Sequence, residues 1–522
     1  RIGTFFTTDN NLNFGFGINK LNINASINSF STDGYDLDKT DNEKTVLPLR
    51  NLTSQLQLNY KFSDKINLLV SNRYFNQNND VETIVNNKNA SGTTKTNEYN
   101  SHSRFFYNPN DNLNFTGEFY ATQYYIKDDV RFNDTNTIVY NDFFKENLLR
   151  PELRTSFKKR NTTYTSGFGY SFNDLERTYF DQKALNNSYY GFLQYDYNLK
   201  EKFNILAGLR YDKNLAYTSV LSPKLALNYQ FSKQFSIQGS VGYGFKAPDL
   251  RQLYFNFENA GVGYIVLGYN VAPNRLAELQ SQGRIQNSLV ASNFFDKPLN
   301  PETSISYNFG IKHNREKTKS SINIFYNEVK NLIDTRAIAR LTNGQNIFSY
   351  SNIGSVFTQG LEFNSSVKIT KNIEISSGYQ YLIAKDNDVI QDIKDKKVFA
   401  RDPITSQSFE LKQSDYFGLF NRSKHTANFK YFLKIPNWKL NHNFRATYRS
   451  KYGLFDTNNN AILDNYDAFA KEYVIFDSSI TKKIKKKFEV QVGIDNILNF
   501  TDTQNASNYA GRVTYCKVQY NF

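Results

Sequence analysis

Between positions 249 and 299 the chain carries Arg251, Tyr254, Phe255, Phe257, Tyr264, Tyr269, Arg275 and Arg284. Guanidinium groups donate charge-assisted hydrogen bonds in a fixed fork, and aromatic faces stack on planar groups and on cations. These residue types together suit a planar, anionic ligand. Arg251, Tyr254, Phe255, Phe257, Tyr264, Tyr269 and Arg275 are therefore the candidate substrate-binding set. The rings also suit a second role, packing the segment onto the scaffold that holds it, and this is the more common use of loop aromatics.

Other reactive groups are sparse. The four histidines are His102, His313, His425 and His442, with no His-x-x-x-His pair among them, and the one cysteine, Cys516, excludes Cys-x-x-Cys. No glycine-rich phosphate loop ends in Lys and Ser or Thr. The sequence thus assigns no catalytic residue, no metal centre and no cofactor, and the chain is not read as an enzyme. Asp386, Asp388, Asp392 and Asp395 offer oxygens of the kind calcium takes. Their spacing fits no defined site, and a solvated acidic loop is the preferred reading. The run Lys482-Lys483-Ile484-Lys485-Lys486-Lys487 could meet lipid phosphates, although a solvated turn explains it as well. The formal net charge is +14, but a nucleic-acid partner needs a basic face on a recognisable module, and none is present.

The elements that would hold these residues have a period of two. Phe235, Ile237, Val241, Tyr243, Phe245 and Ala247 alternate with Ser236, Gln238, Ser240, Gly242, Gly244 and Lys246. The same alternation runs through Phe203, Ile205, Ala207, Leu209 and Tyr211, and through Leu113, Phe115, Phe119 and Ala121. Successive side chains of a strand point to opposite faces, so each segment is a strand with one apolar face. Many run to about 10 residues or more, the length a tilted membrane-crossing strand needs, whereas strands of soluble domains are usually about 5–6 residues. The chain holds 522 residues, 16% of them aromatic, with one cysteine and no methionine. This composition excludes disulfide scaffolds and disordered chains, and no apolar run is long enough for a transmembrane helix. A mean hydropathy of −0.60 agrees with strands in which only alternate residues meet lipid.

Short connections are expected at 19–20, 63–65, 108–112, 158–161, 199–202, 232–234, 314–319, 370–372, 436–438 and 484–487. Between them lie long polar connections at 32–50, 78–98, 127–148, 248–302, 385–418 and 452–472. Short turns at one end and long loops at the other describe an outer-membrane barrel. The ten short turns, with one strand before and one after, give an all-β fold of 22 antiparallel transmembrane strands over residues 1–522. The first strand, near 2–8, must then return through a bend at Asp9-Asn10. Phe62, Phe231, Phe235, Trp438 and Phe488 sit beside short turns, where an interfacial aromatic girdle belongs. The closing strand should turn Cys516, Val518, Tyr520 and Phe522 to lipid.

Several blocks resemble the barrel domain of TonB-dependent outer-membrane transporters, in family order. They are Gly244-Phe245-Lys246-Ala247-Pro248 with Leu250-Arg251-Gln252-Leu253-Tyr254, then Leu299-Asn300-Pro301-Glu302-Thr303. Tyr350-Ser351-Asn352-Ile353-Gly354 and Gln359-Gly360-Leu361-Glu362 come next, and Val492-Gly493-Ile494-Asp495-Asn496-Ile497-Leu498-Asn499 with Gly511-Arg512 complete the set. The physical reading of most of these residues is shaping of the barrel rim. Prolines, for example, suit places where a strand leaves or joins the ladder.

The resemblance implies an outer-membrane location in a Gram-negative bacterium, contact with outer-membrane lipid, and active import of a scarce ligand. A ferric siderophore is the first expectation, with haem or another bulky nutrient behind it. In the haem-uptake branch a histidine stands between the blocks like 245–248 and 300–302. No histidine lies between positions 249 and 299 here. Family members also carry an N-terminal plug, with a short TonB-contacting segment ahead of it. Neither is read in this sequence, which starts at Arg1. The expectation is that the plug and the segment that meets the TonB energy-transducing complex were not included, rather than supplied by another chain or lost. Without a plug, so wide a barrel would be a passive channel or a structural barrel, which is the rival reading. A surface lipoprotein stays open as a further partner.

Overall fold

The computed structural model describes residues 1–40, 44–85, 87–200, 202–214, 217–258, 264–402, 405–458, 460, 462–485, 487–503 and 505–522. Parts of the expected connections, at 41–43, 86, 201, 259–263, 403–404, 459, 461 and 486, lie outside the described residues.

Twenty-two antiparallel strands close into a barrel. They are β1 (Ile2–Gly3), β2 (Thr7–Ile18), β3 (Leu21–Thr32), β4 (Leu49–Lys61), β5 (Ile66–Val85), β6 (Lys88–Asn110), β7 (Leu113–Phe132), β8 (Phe143–Lys159), β9 (Thr162–Arg177), β10 (Ala184–Leu199) and β11 (Phe203–Asn214). They continue as β12 (Val220–Tyr229), β13 (Phe235–Lys246), β14 (Glu302–Arg315), β15 (Thr318–Leu341), β16 (Asn346–Lys368), β17 (Ile373–Asp386), β18 (His425–Ile435), β19 (Leu440–Arg449), β20 (Tyr473–Lys485), β21 (Phe488–Asp495) and β22 (Val513–Tyr520). Neighbours in sequence pair all the way round. The seam closes through β1, where Ile2 faces both Thr8 and Cys516 and Gly3 faces both Thr7 and Tyr515.

The alternation in the sequence becomes two unlike faces. Leu225, Val241, Tyr307 and Tyr326 stand opposite one another across four strands and are all exposed on the outside. Val518, Tyr520 and Phe522 of the closing strand are exposed likewise, as is Cys516. The aromatics expected at the girdle, Phe62, Phe231, Phe235, Trp438 and Phe488, are all exposed beside their turns. The inner face carries charge. Arg104 meets Glu118 at 3.3 Å, Arg210 meets Asp212 at 2.6 Å, and Arg445 meets Asp477 at 2.6 Å. An apolar outside and a polar lumen are what a wide membrane barrel requires.

All ten short connections fall where the sequence places them. Three other expectations are corrected. The stretch 127–148, expected as a long loop, is largely strand: Lys127–Phe132 stays in β7 and Phe143–Leu148 in β8, with Lys127 facing Phe143. Asp9 and Asn10 lie inside β2, and the first return is made at 4–6, with Phe5 and Phe6 in the left-handed region. The stretch 78–98, expected as a long loop, is the outer part of the β5–β6 hairpin, paired as far as Val85 and Lys88. There the hairpin projects beyond the bilayer, so neither face needs apolar residues and the alternation that marks a strand is lost. The three α-helices among the described residues, α1 (Leu250–Tyr254), α2 (Ala272–Ser281) and α3 (Asn387–Lys394), all sit in long connections at the loop end.

Candidate functional site

The connection between β13 and β14 folds into the loop end and is fixed at its neck. Lys246 and Glu302 face each other across the two strands, with Nζ 3.1 Å from Oε1, and Glu302 also accepts from the Ile333 amide at 3.1 Å. Asn352 binds the neck from the neighbouring hairpin. It accepts from the Asn300 amide at 2.9 Å and donates to the Asn300 and Asn331 carbonyls at 2.9 Å each. Three of the blocks that carried the family resemblance thus meet at one point.

Beyond the neck, Asp249 caps α1 and shares a reciprocal capping box with Gln252, the arrangement that satisfies the free amides of a helix start. Two short strands follow, at Asn256–Glu258 and Ile265–Leu267, and the second pairs with β16 at Ile347–Ser349. Ile285–Ser288 pairs with β15. Ile265, Leu267, Ala272 and Leu279 bury themselves against Ile338, Ala339, Leu341 and Ile347. The connection is therefore a small packed unit braced on the long β15–β16 hairpin.

This packing divides the predicted site residues. Tyr269 is buried, and its hydroxyl donates to the carbonyls of Phe294 and Lys297 at 2.9 and 2.7 Å. Tyr254 packs against the buried Leu253 and Leu250 clusters. Arg275 pairs with Glu258 at 3.3 Å and Glu278 at 2.6 Å, and Arg284 pairs with Glu258 at 2.5 Å. These contacts hold Glu258 well below the usual carboxylate range, chiefly through the Arg284 hydrogen bond. All four residues therefore have structural employment.

Phe255 is buried as well and forms the floor of the cluster, over which Arg251, Phe257 and Tyr264 remain together. Phe255 and Phe257 stack at 5.7 Å, and Phe257 and Tyr264 lie 6.0 Å apart. The Arg251 guanidinium lies 4.8 Å from the Phe255 ring. Two residues that sequence reasoning did not select complete the cluster. Tyr179 meets Phe257 edge-on at 5.0 Å and Phe255 at 5.9 Å, and donates to Asp142 at 2.8 Å. Burial and that hydrogen bond push its hydroxyl up to about 12, so it stays protonated as a donor. Arg177, at the outer end of β9, lies among the rings of Phe144, Tyr179, Phe180 and Phe255, the last at 5.0 Å. Its Nε is buried without a hydrogen-bond partner. Among the described residues neither Arg177 nor Arg251 forms an ion pair. Nothing local in the sequence marks Arg177 or Tyr179, because their role comes from contact with Phe255 and Phe257 in a distant connection.

The acidic loop is accounted for otherwise. Asp386 caps α3 by accepting from the Asp388 amide at 2.8 Å, and Asp395 and Asp392 pair with Lys397 at 2.8 and 3.5 Å. Of the basic run, Lys483 pairs with Glu489 at 3.0 Å, and Lys486 lies outside the described residues.

A family model described as TonB dependent receptor-like, beta-barrel matches residues 1–497. The iron-regulated outer membrane virulence protein of Vibrio cholerae is 26% identical over 204 residues, 38% of this chain and 27% of that protein. The vitamin B12 transporter BtuB of the same species is 24% identical over 318 residues, 60% of this chain and 39% of that protein. The chain thus covers well under half the length of these relatives. A crystal structure of a mutant ferric enterobactin receptor, PfeA, from Pseudomonas aeruginosa superposes with a TM-score of 0.72 at 14% identity, over 99% of this chain and 78% of that one. At that identity the likeness shows the fold.

Proposed function

The chain belongs to the TonB-dependent receptor family of β-barrels, and on that premise we propose that it imports a ferric siderophore with energy supplied by the TonB complex. The family and its relatives are transport receptors rather than enzymes, and barrels of this kind lie in the outer membrane of Gram-negative bacteria. Residues 1–522 act in this reading as one barrel domain. The single observation that carries the choice of ligand is the pair Arg177 and Arg251, two guanidinium groups without ion pairs among the described residues, set beside the rings of Tyr179 and Phe257 over the buried ring of Phe255. Such a surface favours a planar, anionic guest, by stacking and by charge-assisted hydrogen bonds. A ferric catecholate complex has that chemistry. Haem is less well served, because positions 249–299 supply no histidine.

The reading is tested by growth with a ferric tricatecholate as sole iron source, with and without the gene. Loss of growth in the deletion and its return on complementation are the expected results. Equal growth in both strains would reject it.

A further inference from the structure

The outer wall of β6, β7 and β8 carries three lysines near its upper end. On these strands the odd-numbered residues face outward. Tyr99 and Phe105 on β6, Phe119 on β7, and Leu149 and Phe157 on β8 are exposed, whereas the even-numbered Arg104, Glu118 and Arg154 meet in the lumen. Lys95, Lys127 and Lys145 share the outward face, because the strands pair in continuous register between them and those exposed rings. Lys95 stands directly opposite Lys127, and Lys127 stands opposite Phe143, which sets Lys145 on the diagonal. Opposed side chains of an antiparallel pair have Cβ atoms about 5 Å apart and diagonal ones about 7–8 Å, and like charges so placed repel.

Height on the wall is an independent observation. Each lysine lies twelve residues along its strand from an exposed ring at the turn end, Tyr107, Phe115 or Phe157. A tilted strand crosses the hydrocarbon in about 9–11 residues, so the three ammonium groups stand just outside it. The layer beneath them has the polar and aromatic character of an interface. There Gln123 donates to Asn147 at 2.9 Å and Tyr99 to Asn72 at 3.1 Å, above the apolar Phe119 and Leu149. The anions on this face do not neutralise the lysines. Glu176, opposite Lys145, pairs with Lys183 at 3.5 Å, and Asp129 pairs with Arg131 at 2.9 Å. Asp80, opposite Thr93, forms no ion pair among the described residues. Nor does Lys95, Lys127 or Lys145. Below the lysines, a shallow apolar groove of about 440 Å³ runs between Phe105, Phe119, Leu153 and Phe168, where Gly117 adds no side chain to the wall.

We propose that Lys95, Lys127 and Lys145 bind the phosphate groups of a phosphorylated lipid headgroup in the outer leaflet, with an acyl chain lying in the groove below. Lysine is a compact point charge on a flexible stem. Its stem can lie along the wall while the ammonium reaches a phosphate at the bilayer surface. Phosphate held across β6, β7 and β8 offsets the repulsion among three cations that the chain itself leaves unpaired. A lipid is the occupant rather than a free anion, because the cluster opens sideways at headgroup height and the wall beneath it is grooved and apolar. This assignment does not depend on the identity of the imported ligand.

The test is native mass spectrometry of the purified chain in detergent, offered bis-phosphorylated lipid A, the same lipid with its phosphates removed, or inorganic phosphate. Retention of the phosphorylated lipid alone is expected. The double variant Lys95→Gln, Lys127→Gln should weaken it by at least about tenfold, and the separate variant Lys145→Gln by about fivefold. Heat-modifiable gel mobility reports the folded barrel, and it should be unchanged in both, since thinning like charges on an exposed face removes no packing. Lys159→Gln, at the turn end of β8, removes one charge from the opposite rim and should retain lipid as the parent does. Retention that is equal with and without the lipid phosphates, that persists unchanged in the double variant and in Lys145→Gln, or that falls as far in Lys159→Gln as in Lys145→Gln, would overturn the proposal. So would occupancy by inorganic phosphate in place of the lipid.

Discussion

Single side chains divide cleanly into those that hold the loops and those left with unused chemistry. Asn496 belongs to the first kind. Its Nδ2 donates to the carbonyls of Phe500 and Gly511 at 2.7 and 3.0 Å, its Oδ1 accepts from the Phe500 amide at 2.9 Å, and its φ is 55°. Alanine at this position would break three hydrogen bonds, one buried and two partly buried, and strain a left-handed backbone. Asn496→Ala is expected to lower the stability of the refolded barrel by about 3 kcal/mol in urea unfolding, and Asn496→Gly should recover the backbone part of that loss. Arg177 and Arg251 belong to the second kind. Neither holds the fold by an ion pair among the described residues, so Arg177→Gln and Arg251→Gln should leave barrel assembly intact. Each should weaken ferric tricatecholate binding about tenfold, measured by equilibrium binding to whole cells. Much of this was legible in the sequence. Arg251, Phe257 and Tyr264 stand close together in one aromatic stretch and are drawn into one cluster. Tyr269 and Arg275 share that stretch but are claimed by Phe294 and Glu258, contacts that local composition does not reveal.

Elements show why the strand pattern was readable in some places and not in others. A strand alternates in sequence only where one face meets lipid and the other the wet lumen. This holds across the bilayer, and all ten short turns are accordingly where the sequence puts them. Above it, β5 and β6 run to Val85 and from Lys88 through asparagine- and threonine-rich sequence, and that stretch reads as loop although it is paired. The packed unit between β13 and β14 follows a different rule, with buried Ile265, Leu267 and Leu279 on short elements. Its charged clasp is Glu258 with Arg275 and Arg284. Because the folded pKa of Glu258 is lowered, the clasp contributes fully above the ordinary glutamate range and is lost as pH falls through the depressed value. Limited proteolysis within 248–300 should thus stay slow through mildly acidic pH and accelerate only below the usual carboxylate range. Glu258→Gln should remove that acid step.

The whole molecule separates three environments by radius and height. Lipid meets Leu225, Val241, Tyr307 and Tyr326, the lumen meets paired charges such as Arg210 with Asp212, and the loops above carry the arginines and rings. In the proposed reading, import against a gradient draws its energy from a partner complex, since the outer membrane holds no nucleotide supply. Energised import and passive leakage therefore differ in one direct measurement: uptake of a radio-iron-labelled ferric tricatecholate by cells carrying the gene, before and after the proton-motive force is collapsed. The account predicts saturable uptake that stops on collapse. Uptake that rises linearly with concentration and is unaffected by collapse would contradict it.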